Sequence, residues 1–117
     1  MRIILIGYGW RSLFFYRIIK ALPQTFTLVT WVLRTQERAE EVQKLYGVQT
    51  CSNVHQALCV EHDLVILSVP SSSMEELLSV LINHDEKILC ETGFTSLPLQ
   101  TLNTLYAGYR ASNSRIF

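Results

Sequence analysis

Apolar residues follow one another along this chain in two alternating rhythms. Ile3-Ile4-Leu5-Ile6 is an unbroken aliphatic run, the mark of a strand covered on both faces. Phe14, Ile18 and Leu22 then recur at helical spacing until Pro23 stops the helix. Phe26 to Leu33, rich in Val, Thr and aromatics, predicts a second strand. Ala39, Val42, Leu45 and Tyr46 predict a second helix, closed by Gly47 where a left-handed cap belongs. Val48 to Cys51 predicts a short third strand, and Asn53 is placed to cap a brief helix through about Val60. After Asp63, Leu64-Val65-Ile66-Leu67-Ser68-Val69 predicts a fourth buried strand ending at Pro70. Met74, Leu77, Leu78, Leu81 and Ile82 form the clearest amphipathic stripe. Its start offers two overlapping capping boxes, Ser72-x-x-Glu75 and Ser73-x-x-Glu76. Lys87 to Cys90 predicts a fifth strand, and Leu99, Leu102, Leu105 and Tyr106 another helix. Arg115-Ile116-Phe117 reads as the opening of a sixth strand.

Alternation with so little slack implies right-handed crossovers and a parallel sheet covered on both sides. A βαβαβ half followed by a second half implies a doubly wound α/β domain of the Rossmann type over residues 1–117. Its expected strand order is 3-2-1-4-5-6. Stopping on Ile116-Phe117, inside a strand, leads us to expect a second domain beyond it.

The first strand runs straight into Gly7-Tyr8-Gly9-Trp10-Arg11-Ser12. In such a turn Gly7 permits the tight bend, and Gly9 leaves no side chain between the backbone and a pyrophosphate. The following helix aims its free N–H groups and positive dipole end at that anion. Ser12 replaces the third glycine of the usual pattern and is small enough to keep helix and strand close. A plain tight turn would use the same two glycines, so the rest of the chain must decide.

Composition narrows the field. Of 117 residues 49% are hydrophobic, enough for a core, and ten basic residues balance ten acidic ones. No basic stripe supports nucleic-acid binding, and no apolar run approaches the length of a membrane span. Met1-Arg2 mimics the start of a signal peptide, but Gly7 to Arg11 ends the apolar run too soon. Cys51, Cys59 and Cys90 show no metal-ligand or redox spacing and are expected as small buried hydrophobes in a reducing cytoplasm. His55, His62 and His84 are scattered and read as surface or loop residues, so no metal site is expected.

Ligands of an open parallel sheet bind beyond the carboxyl ends of its strands. Those ends collect Gly7, Tyr8, Gly9, Trp10 and Arg11; then Arg34 and Thr35; then Ser68, Val69, Pro70 and Ser71; then Glu91, Thr92 and Gly93. An NAD-preferring domain carries Asp or Glu at the end of its second strand, for the ribose hydroxyls. Leu33 stands near that position here. Arg34 offers a guanidinium fork for a 2′-phosphate, Thr35 a hydroxyl, and Arg38, one turn on, further charge or a surface for adenine. The cofactor expected is therefore NADP(H), with NAD(H) second. The same three residues would also suit a solvated loop and helix start. Arg11 either approaches the pyrophosphate or is simply exposed, and Trp10 either flanks the cofactor or packs on a further domain. Ser71 to Ser73 suit helix caps, while the N–H groups beside them suit a ligand. Met74 belongs to the apolar stripe. Glu91 is a candidate nicotinamide-ribose contact or an exposed loop carboxylate.

These segments resemble the nucleotide-binding half of the glucose–fructose oxidoreductase, inositol dehydrogenase and MocA (Gfo/Idh/MocA) family. The resemblance rests on Ile6-Gly7-Tyr8-Gly9, Glu37-Arg38-Ala39, Asp63-Leu64-Val65-Ile66 through Ser68-Val69-Pro70, and Leu89-Cys90-Glu91. It implies a nicotinamide-binding domain of an oxidoreductase, transferring hydride to or from a small carbonyl, alcohol or imine. The substrate would be met through a C-terminal domain that these residues do not include. The family's last segment usually reads Cys-Glu-Lys-Pro, with a lysine that serves substrate binding and catalysis; this chain reads Cys90-Glu91-Thr92-Gly93. No catalytic acid or base is expected among its residues, and the chain alone is expected to bind nucleotide without turnover. A non-catalytic nucleotide-sensing or interaction module, or a domain that has ceased to bind nucleotide, are the rival readings. Self-association is compatible with all three.

Overall fold

The computed structural model describes residues 1–91 and 97–117. The chain alternates β1 (Arg2–Ile6), α1 (Trp10–Ala21), β2 (Thr27–Val32), α2 (Gln36–Tyr46), β3 (Thr50–Cys51), α3 (Val54–Leu58), β4 (Leu64–Leu67), α4 (Ser71–Asn83), β5 (Lys87–Cys90), α5 (Leu99–Ala111) and β6 (Arg115–Ile116). Six parallel strands lie in the order β3-β2-β1-β4-β5-β6. This is the α/β Rossmann arrangement that the alternation predicts.

The side-chain period of two divides the core between the sheet's faces. Ile4, Ile6, Val65, Leu67 and Ile88 point to one side, where Met74, Leu78, Leu81 and Ile82 of α4 and Leu105 of α5 cover them. Ile3, Leu5, Trp31 and Ile66 point to the other, under Tyr16 and Ile19 of α1 and Ala39 and Val42 of α2. Full burial of each large apolar side chain contributes roughly 1.5–3 kcal/mol. β1, central and shielded on both faces, therefore has to be an unbroken aliphatic run.

Several local expectations need correction. The inward face of α1 is Ser12, Tyr16 and Ile19, not Phe14, Ile18 and Leu22. Phe14 is 57% exposed and Leu22 48%. Helix rotation is set by Ser12, whose small side chain lets α1 approach the end of β4, and by Tyr16, which stacks on Trp31 with ring centroids 5.3 Å apart. The stripe of Phe14, Ile18 and Leu22 passes over both. Leu45, Leu99 and Tyr106 likewise prove to be solvent-facing. The serine capping boxes of α4 do not form, because the helix begins at Ser71 directly after Pro70 and takes the serines into its first turn. β2 and β3 are each two residues shorter than their apolar runs, and β4 stops at Leu67. Asn53 and Gly47 behave as expected. The Asn53 side chain accepts the Gln56 N–H, and Gly47 closes α2 at φ 65°.

At the amino edge of the sheet, Asp63 accepts the backbone N–H of Arg2 at 2.7 Å and pairs with its guanidinium at 2.9 Å. Hydrogen bonds from Arg2 hold the Asp63 carboxyl well below the usual carboxylate range. A depressed folded-state pKa stabilises above the unfolded value and is lost as the pH falls through the folded one. Asp63→Asn should therefore lower stability fully above about pH 4, with the deficit narrowing at lower pH. Urea unfolding of both proteins across a pH series measures this, and a deficit constant with pH would refute it.

Candidate functional site

The carboxyl ends of β1, β2, β4 and β5 meet around the turn after β1. Gly7 adopts φ +114°, and a Cβ there would lie 1.9 Å from the Ser68 carbonyl oxygen, so no other residue fits this contact. The Ser12 hydroxyl donates to that same carbonyl at 3.3 Å, which draws α1 against β4. From the other side, the Gly7 N–H donates to the Val32 carbonyl at 3.1 Å, and the Trp31 indole N–H donates to the Gly7 carbonyl at 2.7 Å. The turn is thus tied to β2 and β4 together.

Gly9 differs from Gly7. Its backbone is extended, a conformation open to any residue, and a Cβ there would meet nothing within 4 Å among the described residues. It stands at the N-cap of α1, whose first turn has no side-chain cap and no acidic residue. An open space over an uncapped helix N-terminus suits the pyrophosphate of a dinucleotide. α4 likewise starts without a side-chain cap at Pro70, beside Ser68 and Ser71 on the same edge of the sheet.

At the end of β2, Leu33 is 2% exposed and packs into the core, so Arg34 is the first exposed side chain past the strand. Thr35 is the N-cap of α2, its Oγ1 accepting the Arg38 N–H at 3.2 Å. Arg38 pairs with Glu41 at 2.7 Å, and its guanidinium carbon lies 5.2 Å from the centre of the Tyr8 ring. Tyr8 also leans on Trp31, ring centroids 6.0 Å apart. Its phenol is raised above the ordinary range, by desolvation first and by its hydrogen bond with Tyr46 second.

On the opposite flank, Arg11 reaches across to Glu91, Nε to Oε1 3.2 Å, with the exposed Trp10 indole 5.1 Å from its guanidinium carbon. The Glu91 N–H donates to the Leu67 carbonyl, holding the end of β5 against β4. Thr92 and Gly93 lie outside the described residues. The structure therefore gathers Gly7, Tyr8, Gly9, Trp10, Arg11, Arg34, Thr35, Arg38, Ser68, Pro70, Ser71 and Glu91 along one sheet edge. Met74 is fully buried in the core.

Two supporting residues escape a reading of the chain. Trp31 looks like an ordinary strand aromatic, and only the tertiary fold brings its N–H to Gly7. Glu41 was detectable, since it lies three residues beyond Arg38 on a helix, within pairing range.

The histidines lie at the surface or in a loop, as expected, whereas the cysteines are less buried than expected. His62 is largely buried, with Val60 O and Glu86 Oε2 at 2.6 and 2.7 Å from its two ring nitrogens. His55 and His84 bring their rings within 5.5 Å. Cys59 is exposed, and Cys51 and Cys90 are only partly covered. Burial, then Glu91, pushes the Cys90 thiol up to about 11. Among the described residues no group of three His, Cys, Asp or Glu side chains is arranged to hold a metal. No described helix is long and apolar enough to cross a membrane. A cavity of about 390 Å³ lies between α4 and α5. Leu78, Ile82, Leu105 and Tyr109 are among its walls, away from the glycine turn.

Six parallel strands in this order, with a glycine turn feeding an open helix N-terminus, define a Rossmann NAD(P)-binding domain. Residues 1–116 match the model of the oxidoreductase family with an NAD-binding Rossmann fold, and the chain belongs to that Gfo/Idh/MocA family. Among solved structures it is similar to the WlbA dehydrogenase from Bordetella pertussis, crystallised with NADH and UDP-GlcNAcA. That match has 17% identity and a TM-score of 0.82, over 99% of this chain and 36% of that one. A protein from Desulfitobacterium hafniense assigned as an NADPH-dependent oxidoreductase matches at 20% identity and a TM-score of 0.80, over 100% and 33%. The chain spans about a third of the length of these structures, and at such identities the likeness is one of fold. No curated protein matches it.

Proposed function

We propose that this domain binds NADP(H) in preference to NAD(H), as the cofactor half of an oxidoreductase. The reaction would be hydride transfer to or from a small carbonyl, alcohol or imine, offered by a second domain. The observation that carries the reading is the end of β2. Leu33 turns inward, no carboxylate takes its place at the edge, and Arg34 is the first side chain to face out.

In this reading Gly7, Tyr8 and Gly9, with the first N–H groups of α1, hold the pyrophosphate, and Arg11 and Trp10 border it. Arg34, Thr35 and Arg38 surround the adenosine 2′-phosphate. Thr35 still has its hydroxyl hydrogen to give, since the cap uses only a lone pair. Ser68, Pro70, Ser71, Glu91 and Thr92 line the nicotinamide half. Once bound, the nicotinamide supplies the hydride chemistry; the chain's own residues position and enclose it.

Calorimetric titration of NADPH and NADH tests the assignment. A charge-assisted contact to phosphate contributes roughly 1.5–3 kcal/mol, on the order of ten- to a hundredfold in affinity. Arg34→Ala should erase most of the NADPH preference while leaving NADH nearly unaffected, and the preference should shrink as salt rises. Equal affinities in the unsubstituted chain, or a loss shared by both cofactors, would overturn the reading. A nucleotide-sensing module without catalysis is the second reading, favoured by Thr92 at the place of the family lysine.

A further inference from the structure

We infer that Glu41 is a positioning residue that sets cofactor preference, by holding Arg38 against Tyr8 and away from the adenosine phosphate. This rests on the NADP(H) reading and deepens it. Three observations converge. The Arg38 Nη1 donates to Glu41 Oε2 at 2.7 Å, one helical turn along α2. The same guanidinium lies over the Tyr8 ring at 5.2 Å, and Tyr8 belongs to the glycine turn itself. The Tyr8 ring in turn leans on Trp31 and hydrogen-bonds Tyr46, which holds it beneath the guanidinium. Arg38 thus stands at the mouth of the site with its charge already matched, whereas Arg34 at the end of β2 makes no ion pair among the described residues.

A phosphate arriving beside Arg34 has to compete with Glu41 for the second guanidinium, and it meets the Glu41 carboxylate as a like charge. Both groups are about half exposed, with 46% and 51% of their side-chain surfaces open. The hold is therefore weak enough to be broken by a doubly charged ligand. Released, the Arg38 fork would close on the phosphate beside Arg34, with Tyr8 beneath it and adenine within stacking range.

The test uses two probes that carry only the adenosine end, adenosine 2′,5′-bisphosphate and adenosine 5′-monophosphate, each titrated into the full chain. Glu41→Gln should tighten the bisphosphate by about two- to fivefold, the scale of one exposed ion pair, and leave the monophosphate unchanged. Glu41→Asp, which keeps the charge, should stay closer to the native ratio. Arg38→Met should cost the preference more in the Glu41→Gln background than in the native one, and should remove the gain there. A thermal melt checks that each variant is folded. A Glu41→Gln gain that survives Arg38→Met would overturn the inference, because simple charge removal would then suffice. So would an equal gain for both probes, or none. If the native chain binds the bisphosphate no better than the monophosphate, the NADP(H) reading falls and this inference with it. If that native preference holds while Glu41→Gln leaves it unmoved, only the role of Glu41 is lost.

Discussion

Gly7→Ala should destabilise the fold by on the order of 3–5 kcal/mol, enough to unfold a marginal domain. Two independent costs act at this position. The backbone is held at φ +114°, which an L side chain rarely adopts, and the added Cβ would stand 1.9 Å from the Ser68 carbonyl oxygen. The obstacle is backbone, so no rotamer change relieves it. β1 and β4 would have to separate at their carboxyl ends, where Ser12 and Trp31 also anchor the turn. Urea unfolding followed by circular dichroism measures the loss. A midpoint close to that of the native chain would mean the turn is far more pliant than its contacts imply.

Gly9→Val should do the reverse, sparing the fold and destroying nucleotide binding. The extended backbone at Gly9 tolerates a side chain, and none of the described residues lies within 4 Å of where it would begin. Its cost to the fold is the poorer N-cap of α1, about 1 kcal/mol. The new side chain would occupy the space over the first N–H groups of the helix. Losing two charge-assisted bonds to a pyrophosphate weakens binding by at least about a hundredfold. NADPH titration together with a melting curve separates the two effects. Unchanged affinity in a folded Gly9→Val protein would place the nucleotide elsewhere.

Two glycines in one motif thus have different physical reasons, both expected from the chain alone; the Ser68 carbonyl that crowds Gly7 is not. Spacing is enough to expect a tight turn at Gly7-Tyr8-Gly9, and the aliphatic runs are enough to order the strands. Which side of α1 faces inward was not legible, because Ser12 is polar and the stripe Phe14, Ile18 and Leu22 competes with Tyr16 at the same helical spacing. Ser12 is buried for its size, and Tyr16 for its ring against Trp31. Helix starts were legible where a side chain caps them, as at Thr35 and Asn53. They were not where the backbone turns in without one, as at Pro70, and the serines that follow mimic a cap they do not form. At the candidate site the residue types could be read from the strand ends. Their pairing could not: Arg11 with Glu91 joins elements about eighty residues apart, and sequence spacing carries no trace of it.

The edge strand β3 is two residues long. A strand edge exposes unpaired N–H and carbonyl groups on which another chain can build. Here that exposed row is a single dipeptide. At β3 the chain is also drawn inward, the Thr50 hydroxyl donating to the Ala39 carbonyl of α2 at 2.7 Å. A sheet whose centre is as aliphatic as β1 and β4 would otherwise be prone to stack into fibres. By tapering to almost nothing at β3, it denies a neighbour the length needed to zip on at that margin.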